Sequence, residues 1–261
     1  TEIYTLSLHD ALPSERCKID RPDFPPRLRK RSLVTRRIGP MPPLRLADQL
    51  FLAAHDHDTG HLQARLHKAG MELGLAGALL CELALERRID VQQGRIVLVS
   101  RAPVPDILAQ TVLGDIVTEL HVAKQPHTVR VWLVYLSHSS VTQVRNRLCF
   151  TGIVQEVPGR RWWGGVANKY RAADINQALG PEAAVHSLLT HGQASNNSMA
   201  AMVFATLADA CGLLPKLTWW HEQKVGLRRR LGQLRDQLPH ALRELVDQTE
   251  AAVGDAVVGS V

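Results

Sequence analysis

Between Gly70 and Glu86 the chain reads Gly-Met-Glu-Leu-Gly-Leu-Ala-Gly-Ala-Leu-Leu-Cys-Glu-Leu-Ala-Leu-Glu. From Leu73 to Leu85 the single charged residue is Glu82. Wound as a helix, this stretch is apolar around nearly its whole circumference. Such a helix has to sit inside a protein with other helices against it. Ala and Leu favour the helix, whereas Gly70, Gly74 and Gly77 cost about 1 kcal/mol each relative to Ala. Small residues at that spacing let a second backbone come close, which offsets the cost. The run is shorter than the roughly 20 apolar residues that cross a bilayer. It predicts a mainly α fold: a central buried helix in a helical bundle ringed by amphipathic helices, with one or two short β-hairpins.

Aromatic residues are only 5% of the chain, so Leu, Ala and Val must build the core. Cys17, Cys81, Cys149 and Cys211 are far apart and form no CxxC pair. That spacing argues against a zinc site and fits a reducing compartment. No apolar signal segment opens the sequence, and the reading is cytoplasmic. The net charge of +6 is unevenly spread. Residues 1–40 hold nine Lys or Arg and five Asp or Glu; the rest holds 22 and 20. The basicity therefore belongs mostly to the first 40 residues, and nucleic acid is not an expected partner. Arg outnumbers Lys 24 to 7, a composition of GC-rich coding that points to a bacterial source.

Residues 1–40 carry Pro13, Pro22, Pro25, Pro26 and Pro40 and no hydrophobic period. They read as a disordered tail. The basic residues there suit a solvated tail or a polybasic arm. Thr5–Pro13 also resembles a translated sequencing adapter, and a well-patterned segment opens at Met41. The tail is accordingly expected to be non-native, with 41–261 forming a single domain.

Along that domain, Leu44–Ala54 has helical spacing. His55, Asp56, His57, Asp58 and His61 crowd seven residues, which invites a metal reading. Asp-x-Thr-Gly in the same place is an ordinary turn, and no metal is expected. A second helix over His61–Lys68 leads into the central one. Arg88–Val99 reads as a β-hairpin around Gln93-Gly94. Helices follow over Pro103–Glu119, Pro126–His138 and Val141–Phe150. The segment 153–170 forms a second hairpin whose tip, Pro158–Gly165, holds Arg160, Arg161, Trp162 and Trp163. Five helices complete the chain: Ala173–Leu179, Pro181–Thr190, Ser198–Cys211, Lys224–Leu238 and Pro239–Val257. Arg228, Arg229 and Arg230 suit a solvated face or a partner-binding one. The chain contains no GxSxG elbow, HExxH, Walker loop or GxGxxG. The expectation is a binding protein, not an enzyme, with no cofactor.

Gly74-Leu75-Ala76-Gly77-Ala78-Leu79-Leu80-Cys81-Glu82-Leu83-Ala84-Leu85-Glu86-Arg87-Arg88-Ile89 resembles the signature of the Golgi phosphoprotein 3 family. Leu50–Asp56 with Thr59-Gly60 is similar to the family's opening helix and turn. The order of hairpin, Pro-led helix, Val-Arg-x-Arg-Leu at 144–148, second hairpin and closing helices is similar too. The resemblance implies a single helical domain that binds phosphatidylinositol 4-phosphate at a membrane and holds membrane-associated enzymes there. Carried over position by position, the family's pocket Trp falls on His67. One pocket Arg falls on Ala76 and another on Thr142; Arg145 alone is kept. Losing two guanidiniums, at about 1.5–3 kcal/mol per charged hydrogen bond, weakens phosphate recognition. The expected ligand is an anionic or inositol lipid headgroup met by Arg145, Arg147 and His67. Arg160, Arg161, Trp162 and Trp163 are the expected membrane anchor, and the 153–170 hairpin is an alternative contact for a homo-oligomer. The expected location is peripheral, at the inner face of a membrane. The competing expectation is a protein-interaction adaptor with no lipid role.

Overall fold

The computed structural model describes residues 43–57, 61–123, 125–160, 166–191, 199–217 and 224–259. Among them eight α-helices alternate with short strands. The helices are α1 (Leu46–Ala53), α2 (Lys68–Leu85), α3 (Ile107–Val122), α4 (Val129–Phe150), α5 (Ile175–His191), α6 (Met199–Ala210), α7 (Lys224–Asp236) and α8 (His240–Val258). The strands are β1 (His55–Asp56), β2 (Gln63–Ala64), β3 (Ile89–Gln92), β4 (Arg95–Leu98), β5 (Val154–Arg160) and β6 (Val166–Ala172). They pair antiparallel as β1–β2, β3–β4 and β5–β6. Pro43–Val261 makes one compact unit. The tail expectation for 1–40 lies outside the described residues.

The apolar run does become the central helix. α2 is buried from Gly70 through Leu83 except at Glu72, and α1, α4, α6 and α8 pack around it. Its glycines set how close two neighbours come. A Cβ on Gly74 would lie 2.3 Å from Cys211 Sγ, and one on Gly77 would lie 2.4 Å from Thr249 Oγ1. No side chain fits there. The propensity that glycine loses inside a helix is offset by the contact it permits with α8 and with the end of α6.

Four expectations need correction. Residues 61–68 do not form a helix, because Gln63–Ala64 pairs with His55–Asp56 as a third small ladder. Pro126–His138 and Val141–Phe150 are one helix, α4. At the expected gap between them, the fully buried Ser140 hydroxyl donates to Glu72 O at 2.8 Å. That small residue lets α4 lie against α2. Ala173–Leu179 and Pro181–Thr190 are likewise one helix, α5, with Pro181 inside it. Pro239 caps α8 instead of opening its first turn.

Candidate functional site

A cleft of about 400 Å³ opens between the start of α2 and the middle of α4. His55 from β1, Lys68, Met71 and Glu72 from α2, and His138 and Thr142 from α4 line it. Helical spacing brings the α2 set together, since residues three and four apart share a face. His67 is the exposed N-cap of α2, and its Nδ1 accepts from the Ala69 N–H at 3.4 Å.

The charges in this cleft nearly cancel. Lys68 Nζ lies 3.8 Å from Glu72 Oε1. His55 Nδ1 donates to Phe51 O at 2.6 Å, and His138 Nδ1 donates to Val134 O at 2.7 Å. A carbonyl oxygen can only accept, which fixes the proton on Nδ1 in each ring. Burial holds the His55 imidazole below its ordinary pKa and so neutral.

Arg145 stands one helical turn beyond Thr142 on α4. Its guanidinium carbon sits 4.7 Å from the ring centroid of Tyr170 in β6. Its Nε is buried with no hydrogen-bond partner among the described residues. The Leu62 N–H donates to Tyr170 O at 2.8 Å, which ties β6 to the segment running into β2 and the cleft wall. Arg145, Thr142 and the start of α2 therefore belong to one region of the surface.

Arg147 does not belong to it. Its side chain is 8% exposed and pairs with Asp48 at 2.9 Å, Asp106 at 2.9 Å and Glu82 at 3.4 Å. The expectation that it meets lipid is corrected: its donors are taken up inside the domain. Arg45 completes the network, donating to Glu82 at 2.8 Å and Glu86 at 2.5 Å. Glu82 also accepts the Ala47 N–H at 2.9 Å. Two guanidiniums thus face four carboxylates where α1, α2, α3 and α4 meet. Burial pushes the Asp48 carboxyl up to about 6, opposed by Arg147 and helped by Glu82. Sequence reasoning missed this network. Its signal was Glu82 itself, since a lone carboxylate in an apolar helix needs a cation.

Ala76, where the resemblance places a pocket Arg, is fully buried in the core. Arg160 lies in β5, with its side chain outside the described set, and Arg161, Trp162 and Trp163 lie outside the described residues altogether. Among the described residues, no three His, Cys, Asp or Glu side chains are placed to hold a metal ion. No helix among them is long and apolar enough to cross a membrane.

The sequence profile of Golgi phosphoprotein 3 (GPP34) matches residues 46–249. No curated protein matches the chain.

Proposed function

The chain belongs to the Golgi phosphoprotein 3 family, and on that premise we propose that it is a peripheral protein of an anionic membrane surface. Arg145 is the lipid-facing cation, with Lys68, which lines the cleft, and His67, the N-cap of α2, as further headgroup contacts. Membrane-associated enzymes are the natural cargo, and the inner face of a bacterial membrane is the proposed location.

The observation that supports this reading is the state of Arg145. Arg147, two residues on, has its donors committed to three carboxylates. Arg145 instead rests on the Tyr170 ring, and no ion pair to it is present among the described residues. A guanidinium on a ring keeps its in-plane donors for another acceptor. The phosphodiester of a lipid supplies such acceptors. Thr142 lines the cleft and Ala76 is buried in the core, where the resemblance places guanidiniums, so the reading is attraction to surface charge, not capture of phosphatidylinositol 4-phosphate.

Co-sedimentation with vesicles tests it. Phosphatidylserine vesicles should retain the chain where phosphatidylcholine vesicles do not, and added salt should weaken retention. Arg145→Ala should cost roughly five-fold, as expected for about 1 kcal/mol per basic residue near an anionic surface. No retention on anionic vesicles at low salt would remove the lipid reading and leave a protein adaptor of the same fold.

A further inference from the structure

The same cleft has a chemistry that charge attraction leaves unused. Its polar lining is rich in acceptors. His55 spends its Nδ1–H on a backbone carbonyl, and burial disfavours its charged form, so its remaining ring nitrogen, Nε2, is a lone pair. His138 likewise commits Nδ1–H to Val134 O and leaves Nε2 for a ligand. Glu72 adds carboxylate oxygens, and Thr142 adds a hydroxyl that donates or accepts. Against these stands one ammonium, Lys68, already within 3.8 Å of Glu72. Met71 supplies an apolar wall.

A phosphomonoester brings about 1.5 to 2 negative charges and only acceptor oxygens. In this cleft it would face the His55 lone pair and the Glu72 carboxylate. A ring bearing several hydroxyls fits each partner. It donates to His55 Nε2 and to Glu72, exchanges a hydrogen bond with His138 in either direction, accepts from Lys68, and lays its C–H face on the apolar wall. The volume, about 400 Å³, is at the small end for ligand sites and has room for a ring of that size. We infer that this cleft binds a polyhydroxylated ring without a phosphomonoester, a glycosyl or unphosphorylated inositol group. The inference goes beyond the surface-charge reading above, because it concerns the cleft lining and not Arg145. The shared chemistry admits two sources, a lipid headgroup or a free sugar.

The full-length chain is floated with vesicles of phosphatidylcholine, alone or with an uncharged glycosyl diacylglycerol, phosphatidylserine or phosphatidylinositol 4-phosphate. Methyl glucoside and myo-inositol are titrated calorimetrically in parallel. The uncharged glycolipid should raise retention roughly five-fold over phosphatidylcholine, the gain of about one net hydrogen bond. Phosphatidylinositol 4-phosphate should do no better than phosphatidylserine matched for charge. His138→Ala, at an exposed position, should lose the glycolipid gain while keeping its circular dichroism spectrum. Thr142→Arg, which adds a guanidinium, should raise retention on phosphatidylinositol 4-phosphate. Saturable heat from methyl glucoside or myo-inositol without a glycolipid gain supports the site and assigns it a soluble polyol. Equal retention with and without glycolipid, together with no saturable heat from either free ring, overturns the inference. A phosphatidylinositol 4-phosphate preference beyond charge also overturns it. Failure on phosphatidylserine alone counts against the surface-charge reading only, because the calorimetric arm still decides the site.

Discussion

Arg147 Nε lies 2.9 Å from Asp48 Oδ1, joining α4 to the first turn of α1 where both side chains are almost wholly buried. The pair is part of a network in which Glu82 and Asp106 share the same guanidinium. Removing that guanidinium leaves the buried Asp48 without its cation and takes one of two cations from Glu82 and Asp106. Arg147→Ala is therefore expected to cost about 3–5 kcal/mol of stability, the usual result of breaking a buried pair from one side. Arg145→Ala loses a half-exposed contact with Tyr170 worth about 0.5–1 kcal/mol. Urea denaturation of the two variants separates the roles. Similar small losses in both would show that Arg147 is not structural.

Asp48 makes the same network sensitive to pH. Its carboxyl is raised from 3.8 to about 6 in the folded chain, chiefly by burial. The folded state thus holds this proton more tightly than the unfolded state does. Its contribution is fully present below the unfolded pKa and is lost as pH rises through about 6. By linkage the change amounts to about 3 kcal/mol between those limits. Asp48→Asn keeps the side chain neutral throughout. The stability of the variant relative to the parent should therefore increase as pH is raised across that window, measured by urea midpoints. A difference that stays flat with pH would show that Asp48 ionises normally.

The network also shows where sequence reading stopped. The central helix was legible because an uninterrupted apolar run has few solutions, and α2 occupies the centre of the bundle. Helices α3 and α4 were legible in kind but expected from Pro103 and Pro126, whereas Asp106 and Thr128 cap their first turns. The unbroken α4 was not, because Ser140 finds its partner on α2, 68 residues away in sequence. Arg145 and Arg147 sit two residues apart and look equivalent in sequence. One turns to Tyr170 and the other into the acid cluster. Helical phase separates them by roughly 200°, but the partners that give each face its meaning come from distant segments.

The approach of α8 to α2 supplies a third expectation. A Cβ on Gly77 would stand 2.4 Å from Thr249 Oγ1 and 3.0 Å from its Cγ2. Gly77→Ala should destabilise by about 1–3 kcal/mol through overpacking, despite the better helix propensity of Ala. Adding Thr249→Ala removes both nearest atoms and should recover part of that loss. Gly254→Ala in α8 meets nothing within 4 Å and should stabilise by about 0.5–1 kcal/mol. Thermal melts of the four proteins decide it. A stabilised Gly77→Ala variant would mean that the two helices are not in close contact there.

The adjacent Trp162 and Trp163 extend the membrane reading from sequence. Neighbouring residues in an extended chain point to opposite sides, so at least one of these rings should meet solvent or a partner. A Trp ring gains at a membrane–water boundary, where its apolar body is buried and its N–H still finds a polar group. Arg160 and Arg161 flank the pair in sequence, and each adds about 1 kcal/mol near an anionic surface. The double variant Trp162→Ala, Trp163→Ala should therefore lower vesicle retention and leave the melting temperature unchanged. High salt should weaken the parent only in part, because ring burial is not screened. Combining the double Trp variant with Arg145→Ala should lower retention further if the two regions meet one bilayer. Retention unchanged in the double Trp variant, with a lower melting temperature or a disrupted oligomer on sizing, would assign the pair to protein packing instead.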